Sequence, residues 1–178
     1  MEHAAWSWNN GYFFVLSCSK FYVLCFTFQV PSSMLMTKLT LFCDGGARGN
    51  PGPAAAGAVI QNSAGETLAS VAQFLGDATN NQAEYAAVIL GIRKALEFQP
   101  TEIEIFLDSK LAVEQISGRW KIKDLNLKKL AEKAHVGLVQ IPKWKIAHVA
   151  RAKNCEADRL VNQTLDARGF KKSAFFRG

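Results

Sequence analysis

Cysteine and histidine are both scarce in this chain of 178 residues. The four cysteines form no Cys-x-x-Cys pair, and they stand at Cys18, Cys25, Cys43 and Cys155. So few and so scattered a set argues against a disulfide-stapled scaffold. The three histidines lie far from any paired cysteines, which argues against a structural zinc site. The default interpretation is a reduced, cytoplasmic protein.

Repeats, linkers and low-complexity stretches are absent after residue 38, and the chain is too apolar to be disordered. Hydrophobic types make up 49% of the residues and charged types 20%, over a length that supports one domain with a substantial core. Basic residues outnumber acidic ones, 21 against 15, for a net charge of +6. A basic balance permits a polyanionic partner such as nucleic acid but does not require one.

Residues 1–35 form a hydrophobic N-terminal extension. Residues 11–30 contain 14 apolar residues and one charge. The length of this stretch matches the ~20 apolar residues that a membrane-spanning helix needs, although its apolar count is lower. That charge, Lys20, lies at the centre, and no Lys or Arg precedes it, which argues against a membrane span or signal peptide. Met34 and Met36 stand directly before the first clear strand. We favour a mis-assigned start at one of them; a signal or anchor is the alternative, and only then is a membrane a partner.

From residue 38 on, the hydrophobic pattern predicts five strands and four helices. The strands are predicted over 38–44, 54–61, 66–75, 102–108 and 143–149, and the helices over 80–98, 109–118, 124–136 and 155–168. Three consecutive strands favour an antiparallel meander, and the later strand–helix units add parallel strands. We expect an α/β fold with a five-stranded mixed sheet flanked by helices over residues 36–168, followed by a short basic tail over 169–178.

Four acidic residues stand out by their place in these elements. Asp44 and Asp108 are each the last residue of an apolar strand. If the two strands pair in parallel, both carboxylates emerge at the same edge of the sheet, where α/β folds bind ligands. Glu84 lies early in a long, mostly apolar helix, and Asp158 lies near the start of the last helix. For the two helical acids, compensation of the helix dipole is as good an explanation as a role in a binding site. It does not explain two strand-terminal aspartates.

Four short blocks around these acids occur in an informative order and spacing. They are DGGARGNPGP at 44–53, TNNQAE at 79–84, LDS at 107–109 and NCEADRL at 154–160. Together they resemble the four signature blocks of ribonuclease H type 1, in a short form without the long basic handle of many members. The resemblance covers residues 38–168. It implies a ribonuclease H-like fold and an endoribonuclease that cuts the RNA strand of RNA–DNA hybrids with two divalent ions.

By that resemblance, Asp44, Glu84, Asp108 and Asp158 are the catalytic, metal-binding carboxylates. Converging carboxylates repel one another unless cations neutralise them, and their hard oxygen atoms suit Mg²⁺, with Mn²⁺ as an alternative, rather than zinc. Two ions about 3.5 to 4 Å apart can activate a water and stabilise a leaving oxygen. Asp44 is the expected bridge between them. The plainer alternative for all four residues is a set of solvated surface acids.

The resemblance also implies substrate contacts near the first two blocks. Asn50, Asn80 and Asn81 match residues that touch the minor groove, where RNA presents its 2′-hydroxyl groups, and Thr79 matches a residue that contacts a DNA phosphate. Turn and helix-cap chemistry is the alternative for these residues, and both roles are compatible.

The segment before Asp158 departs from the commoner family pattern, which carries a histidine on a mobile loop. It reads HVARAKN over residues 148–154 and is similar to a shorter variant with a strand-borne His-Val-x-Arg. Arg151 is therefore our candidate for the catalytic role in proton transfer or product release. His148 is expected to lie in the strand as a packed or surface residue.

A short basic connection replaces the missing handle. Residues 119–133 carry six basic and two acidic side chains. We expect Lys121 and Lys123 to bind the DNA backbone, with Trp120 against a sugar; a solvated helix face with Trp120 in the core is the alternative.

The sequence thus predicts a metal-dependent ribonuclease H that binds an RNA–DNA hybrid, works as a monomer and needs no obligate protein partner. Two alternatives stay open: a nuclease of the same fold that acts on another duplex, and a hybrid-binding module without catalysis. The presence of all four acids speaks against the second.

Overall fold

The computed structural model describes residues 6–9, 12–15 and 37–170. The chain divides into two compact units, residues 1–35 and 36–178. In the first unit, Trp6–Asn9 and Tyr12–Val15 pair as two short antiparallel strands. The remainder of the apolar stretch and the two proposed start methionines lie outside the described residues. Among the residues described, no helix is both long and apolar enough to cross a membrane.

The second unit is built on a five-stranded sheet in the spatial order β3-β2-β1-β4-β5. Strands β1, β2 and β3 are antiparallel neighbours, whereas β1, β4 and β5 run parallel. Their bounds are Lys38–Ala47 for β1, Gly52–Gln61 for β2, Thr67–Ala78 for β3, Glu102–Leu107 for β4 and Lys143–His148 for β5. The predicted mixed sheet and its strand directions are confirmed.

Four α-helices flank this sheet, each within two residues of its predicted ends. They are α1 at Asn80–Leu96, α2 at Lys110–Ile116, α3 at Leu125–Leu138 and α4 at Cys155–Ala167. A single 3₁₀ turn, Arg151–Lys153, precedes α4. Thr79, Ser109 and Asp124 each accept a backbone hydrogen bond at the start of α1, α2 and α3, which explains where these helices begin.

The end of β1 differs from its prediction. The strand predicted over 38–44 continues to Ala47, because Gly45 and Gly46 pair with alanines of β2. Because Gly45 has no side chain, helix α1 can approach β1 closely at this point. A Cβ atom on Gly45 would lie 2.1 Å from the carbonyl carbon of Ala83 in α1. Asp44 therefore lies inside a strand rather than at its end.

Helices cover both faces of the sheet: in the inner strand β2, seven consecutive residues, 54–60, are buried, so neither face is open to solvent there. On one face, Leu41 and Ile105 belong to a continuous core with α1, α2 and α3. On the other face, Val161 and Leu165 of α4 pack against Ala55 of β2, with Phe74 of β3 beside them. This second layer brings α4 over β1 and β2.

The end of the last predicted helix and the start of the predicted basic tail both pack against the sheet. The Phe170 ring stacks on Phe74 at 5.8 Å between centroids, and the Arg168 guanidinium lies 5.0 Å from the Phe74 centroid. The rest of the tail, residues 171–178, lies outside the described part of the chain.

Candidate active site

Parallel pairing of β1 with β4 brings two aspartates together. The register places Cys43 opposite Leu107, so the next residues, Asp44 within β1 and Asp108 just after β4, lie side by side. This is the juxtaposition predicted from the strand pattern. Asp44 is only 5% exposed, and Asp108 is half-buried.

Glu84 joins them because α1 begins directly over the sheet. Thr79 caps the helix in a reciprocal pair with Gln82, whose side chain accepts from the Thr79 amide. The missing side chain of Gly45 lets this first turn approach β1. Glu84 is 5% exposed, and carboxylate oxygens of Asp44, Glu84 and Asp108 all lie within 4.8 Å of one another.

Burial and mutual repulsion disfavour the charged forms of this cluster. Burial, followed by the charges of Asp108 and Asp158, raises the pKa of Asp44 to about 7. Burial, followed by the charges of Asp44 and Asp108, raises the pKa of Glu84 to about 9. The Arg151 charge lowers both pKa values, but it does not outweigh burial and the repulsion among the acids.

Two oxygens of the cluster also lack hydrogen-bond partners. Glu84 Oε2 and Asp108 Oδ1 are buried, and no group accounts for either. A buried carboxylate oxygen without a partner is costly, and native proteins normally satisfy it. Hard oxygen donors, negative charge that Arg151 compensates only in part, and unsatisfied buried atoms together fit a divalent cation such as Mg²⁺ or Mn²⁺.

Asp158 borders the same cavity but does not belong to the three-acid cluster. Helix α4 reaches this position because two glycines leave room for it: Cβ atoms on Gly46 and Gly57 would lie 3.1 Å from side-chain atoms of Val161. The cavity of about 410 Å³ is lined by Asp44, Glu84, Asp108 and Asp158 among others. All four predicted carboxylates thus face one space.

Arg151, the candidate for proton transfer or product release, forms an ion pair with Asp158. Its side chain is 68% exposed and lines the cavity. The hydrogen bond and the charge of Asp158 raise the pKa of Arg151. His148 is the last residue of β5 and is exposed; its Nε2 lies 3.1 Å from the Asp108 carbonyl oxygen and, since a carbonyl only accepts, donates to it.

The residues predicted to read the substrate include two with structural roles at the start of α1. Thr79 caps the helix, and the Asn50 side-chain oxygen accepts from the Asn80 backbone amide at 3.1 Å. Asn80 lines the cavity, and Asn81 is exposed beside it in sequence. Thr79 therefore has the helix-cap role, Asn50 binds the first residue of α1, and substrate contact stays a prediction for all of these residues.

The short basic connection is exposed, as a binding surface requires. Lys121 and Lys123 are exposed, and neither lines the cavity. Trp120 is 48% exposed, which excludes the alternative that placed it in the core. Arg119 is engaged by Glu114, with its Nε at 2.6 Å from Oε2, so it is less available to a phosphate than the two lysines.

Three residues that support the site were not singled out from the sequence. Arg48 lies within the first block, and Asn162 follows Asp158 by one helical turn; both line the cavity. Buried Asn154 donates from Nδ2 to the Cys43 carbonyl at 2.8 Å, which ties the start of α4 to β1 beside Asp44. The four-residue spacing of Asp158 and Asn162 was the one available signal, since it places both on one helix face.

Comparison with known proteins agrees with this geometry. Residues 42–164 match the family described as "Reverse transcriptase-like". The bifunctional protein Rv2228c of Mycobacterium tuberculosis is 46% identical over 131 residues, which are 73% of this chain and 36% of that protein. The chain thus spans about a third of the length of this relative. Ribonuclease HI of Halobacterium salinarum is 42% identical over 125 residues, which are 70% of this chain and 63% of that protein.

A solved structure is similar as well. LC11-RNase H1 in complex with an RNA/DNA hybrid shares 38% sequence identity and a TM-score of 0.69, covering 73% of this chain and 98% of that one. The family match covers well over half of the chain, and the hybrid-bound structure is covered almost completely. The chain belongs to the ribonuclease HI family.

Proposed function

We propose that this protein is a metal-dependent endoribonuclease that hydrolyses the RNA strand of RNA–DNA hybrids. The observation that carries the proposal is the buried cluster of Asp44, Glu84 and Asp108, with oxygens within 4.8 Å and two of them unsatisfied. Such a cluster is unfavourable by itself, so its natural complement is a positively charged ligand. Ribonuclease activity in relatives of the same family supports the choice of reaction.

Asp44, Glu84, Asp108 and Asp158 are the residues that would hold two divalent cations, with Asp44 central among them. Bound there, such ions would activate a water and stabilise the leaving 3′ oxygen of a phosphodiester. The protein contributes a rigid frame: β1 and β4 fix the two aspartates, and the capped start of α1 fixes Glu84. Arg151, which pairs with Asp158 at the exposed side, is the proposed aid to proton transfer or product release.

An RNA–DNA hybrid is the proposed substrate. The hybrid-bound relative supports this choice, and so does the row of polar side chains at the start of α1. Asn80 lines the cavity, Asn50 accepts a hydrogen bond from its backbone amide, and Asn81 is the next, exposed residue of α1. Amide side chains both donate and accept hydrogen bonds, which suits the 2′-hydroxyl group. Thr79 and the two lysines, Lys121 and Lys123, are the proposed phosphate contacts.

The test is a cleavage assay with labelled RNA–DNA hybrid, double-stranded RNA and double-stranded DNA, with and without a chelator. We expect cleavage of the RNA strand of the hybrid alone, and none with chelator. Asp44→Asn should abolish turnover, and Asp77→Asn, an exposed acid on β3, should not. Cleavage of another duplex would indicate the other nuclease, and hybrid binding without cleavage would indicate the binding module.

A further inference from the structure

Asp158 is held on both of its oxygens, unlike the three clustered acids. Oδ1 accepts from Arg151, and Oδ2 accepts from Nδ2 of Asn162 at 2.8 Å. The same Nδ2 donates to the Asp158 backbone carbonyl at 2.8 Å. Because Asn162 lies one turn later on α4, these bonds fix the carboxylate relative to its own helix.

A residue from another element fixes which way the Asn162 amide faces. Its oxygen and nitrogen are nearly the same size, but only the nitrogen can donate to a carboxylate. Arg48 Nη2 donates to Asn162 Oδ1 at 3.0 Å. Since a guanidinium has donors and no acceptor, Arg48 selects the orientation in which Nδ2 faces Asp158.

Arg48 is itself held in place by the C-terminal end of α4. Its Nη2 lies 3.3 Å from Asp166 Oδ1, and its Nε donates to the Phe170 carbonyl at 3.1 Å. The side chain is only 17% exposed and lines the same cavity as Asp44 and Asp158. Arg48 is therefore a fixed donor at the site rather than a mobile surface cation.

We propose that Arg48 and Asn162 are positioning residues that hold the Asp158 carboxylate toward the cavity for cation binding. The inference rests on the proposed function and adds two residues to it. Partners that orient a ligand change metal affinity or activity by about 10- to 100-fold when they are removed. Neither residue touches the reacting atoms; both act through Asp158.

The experiment measures Mn²⁺ affinity of the full chain by calorimetry without nucleic acid. We expect Asn162→Ala and Arg48→Met each to weaken Mn²⁺ binding about 10-fold. The double variant should be no weaker than the worse single one, because both changes act on one carboxylate. In an Asp158→Asn background, Asn162→Ala should have no further effect. Gln163→Ala, the next residue on α4, and Arg93→Met, an exposed arginine of α1, are the matched controls.

A conservative variant separates positioning from packing. Arg48→Lys retains a donor for Asn162 Oδ1 and should recover part of the Mn²⁺ affinity that Arg48→Met loses. A loss of unfolding free energy with unchanged Mn²⁺ affinity would overturn the inference; if Arg48→Met does not fold, Asn162→Ala decides alone. A wild-type chain that binds no Mn²⁺ would refute the proposed function, whereas wild-type binding matched by all the variants would refute only the positioning role.

Discussion

At the scale of single residues, the main property of the site is that the charged forms of its carboxylates are unfavourable when no cation is bound. Asp44 and Glu84 are both nearly inaccessible, and both have a raised pKa, to about 7 and about 9. Without a cation, the fold therefore carries a cost that a bound divalent cation would remove. Such a trade of stability against function is common where side chains must bind a charged partner.

This cost predicts how stability depends on pH. A carboxyl whose pKa is higher in the folded than in the unfolded state favours folding below the unfolded pKa, and the advantage disappears as pH rises through the folded value. In chelator, the free energy of unfolding should therefore fall between pH ~4 and ~9, through Asp44 at about 7 and then Glu84 at about 9. Excess Mg²⁺ should reduce the fall, because it favours the charged forms. Urea unfolding at a series of pH values measures this.

Asp44→Asn tests the origin of that pH dependence. In chelator at pH 8 it should raise the free energy of unfolding by about 1 to 3 kcal/mol, because one buried charge disappears. The Mg²⁺-induced stabilisation should be lost at the same time. Asp77→Asn, at an exposed position, should follow the wild-type curve. Equal pH profiles for wild type and Asp44→Asn would contradict this account.

Arg151 is the exposed, positively charged residue at the edge of the site. Its ion pair with Asp158 is 68% exposed on the arginine side, and exposed pairs contribute only about 0.2 to 1 kcal/mol to stability. Arg151→Ala should therefore hardly change the free energy of unfolding, but it should lower kcat about 10-fold or more by removing a positive charge from the site. Steady-state kinetics on the hybrid measure this, with Arg93→Ala as the exposed-arginine control. Unchanged kcat would exclude a catalytic role for Arg151.

At the scale of elements, close approach between β1 and α1 builds the acidic cluster. The two meet at Gly45, where an added Cβ would lie 2.1 to 2.3 Å from backbone atoms of Ala83 and Glu84. Backbone atoms of a helix cannot yield as the tip of a side chain does. The strand and the helix must separate to admit a methyl group, and Glu84 moves with the helix.

Gly45→Ala should consequently cost at least about 3 kcal/mol of unfolding free energy and weaken Mn²⁺ binding in whatever remains folded. The matched control is Gly65→Ala in the β2–β3 turn, where nothing lies within 4 Å but φ is +82°. That control should cost about 1 to 2 kcal/mol and leave Mn²⁺ binding unchanged. Denaturant unfolding with calorimetry compares them. Equal stability of the two variants would show that α1 does not depend on this contact.

Elements of this fold were predictable from the sequence because their signals are local. Alternation predicted β4, composition predicted α1, and the helix starts predicted at residues 80, 109 and 124 lie within one residue of those observed. The extension of β1 to Ala47 was not predictable, because Gly45-Gly46 is a break signal unless a partner strand and a helix approach it.

The site, too, was predictable where its signals are local and not where it depends on contacts between distant parts of the chain. Family blocks identified four acids, but not that three cluster while Asp158 pairs with Arg151. The Arg48–Asn162 hydrogen bond joins residues 114 positions apart, and no local pattern encodes such a contact.

At the scale of the whole molecule, basic side chains of the described residues divide into those with an acidic partner and those without one. Lys38 and Lys143 lie at the end of β1 and β5 opposite the acidic site, where they pair with Glu102. Lys121 and Lys123 are exposed and have no ion pair among the described residues. The loop that carries them is anchored to the site's helix, since Gln115 accepts from Tyr85 at 2.8 Å and donates to the Lys121 carbonyl. Lysines without an acidic partner, such as Lys121 and Lys123, attract a polyanion more strongly than lysines whose charge a glutamate neutralises.

The salt dependence of hybrid binding tests this distribution. Each phosphate contact adds about 0.9 to the slope of log affinity against log salt concentration, because it releases counterions. Lys121→Gln with Lys123→Gln should therefore flatten the slope by up to about 2, measured by fluorescence anisotropy in an Asp44→Asn background that prevents turnover. Lys38→Gln with Lys143→Gln removes the same net charge from the opposite end and should leave the slope unchanged. If both pairs flatten it equally, the hybrid responds to overall charge rather than to a surface, and the two lysines of the loop are not its contacts.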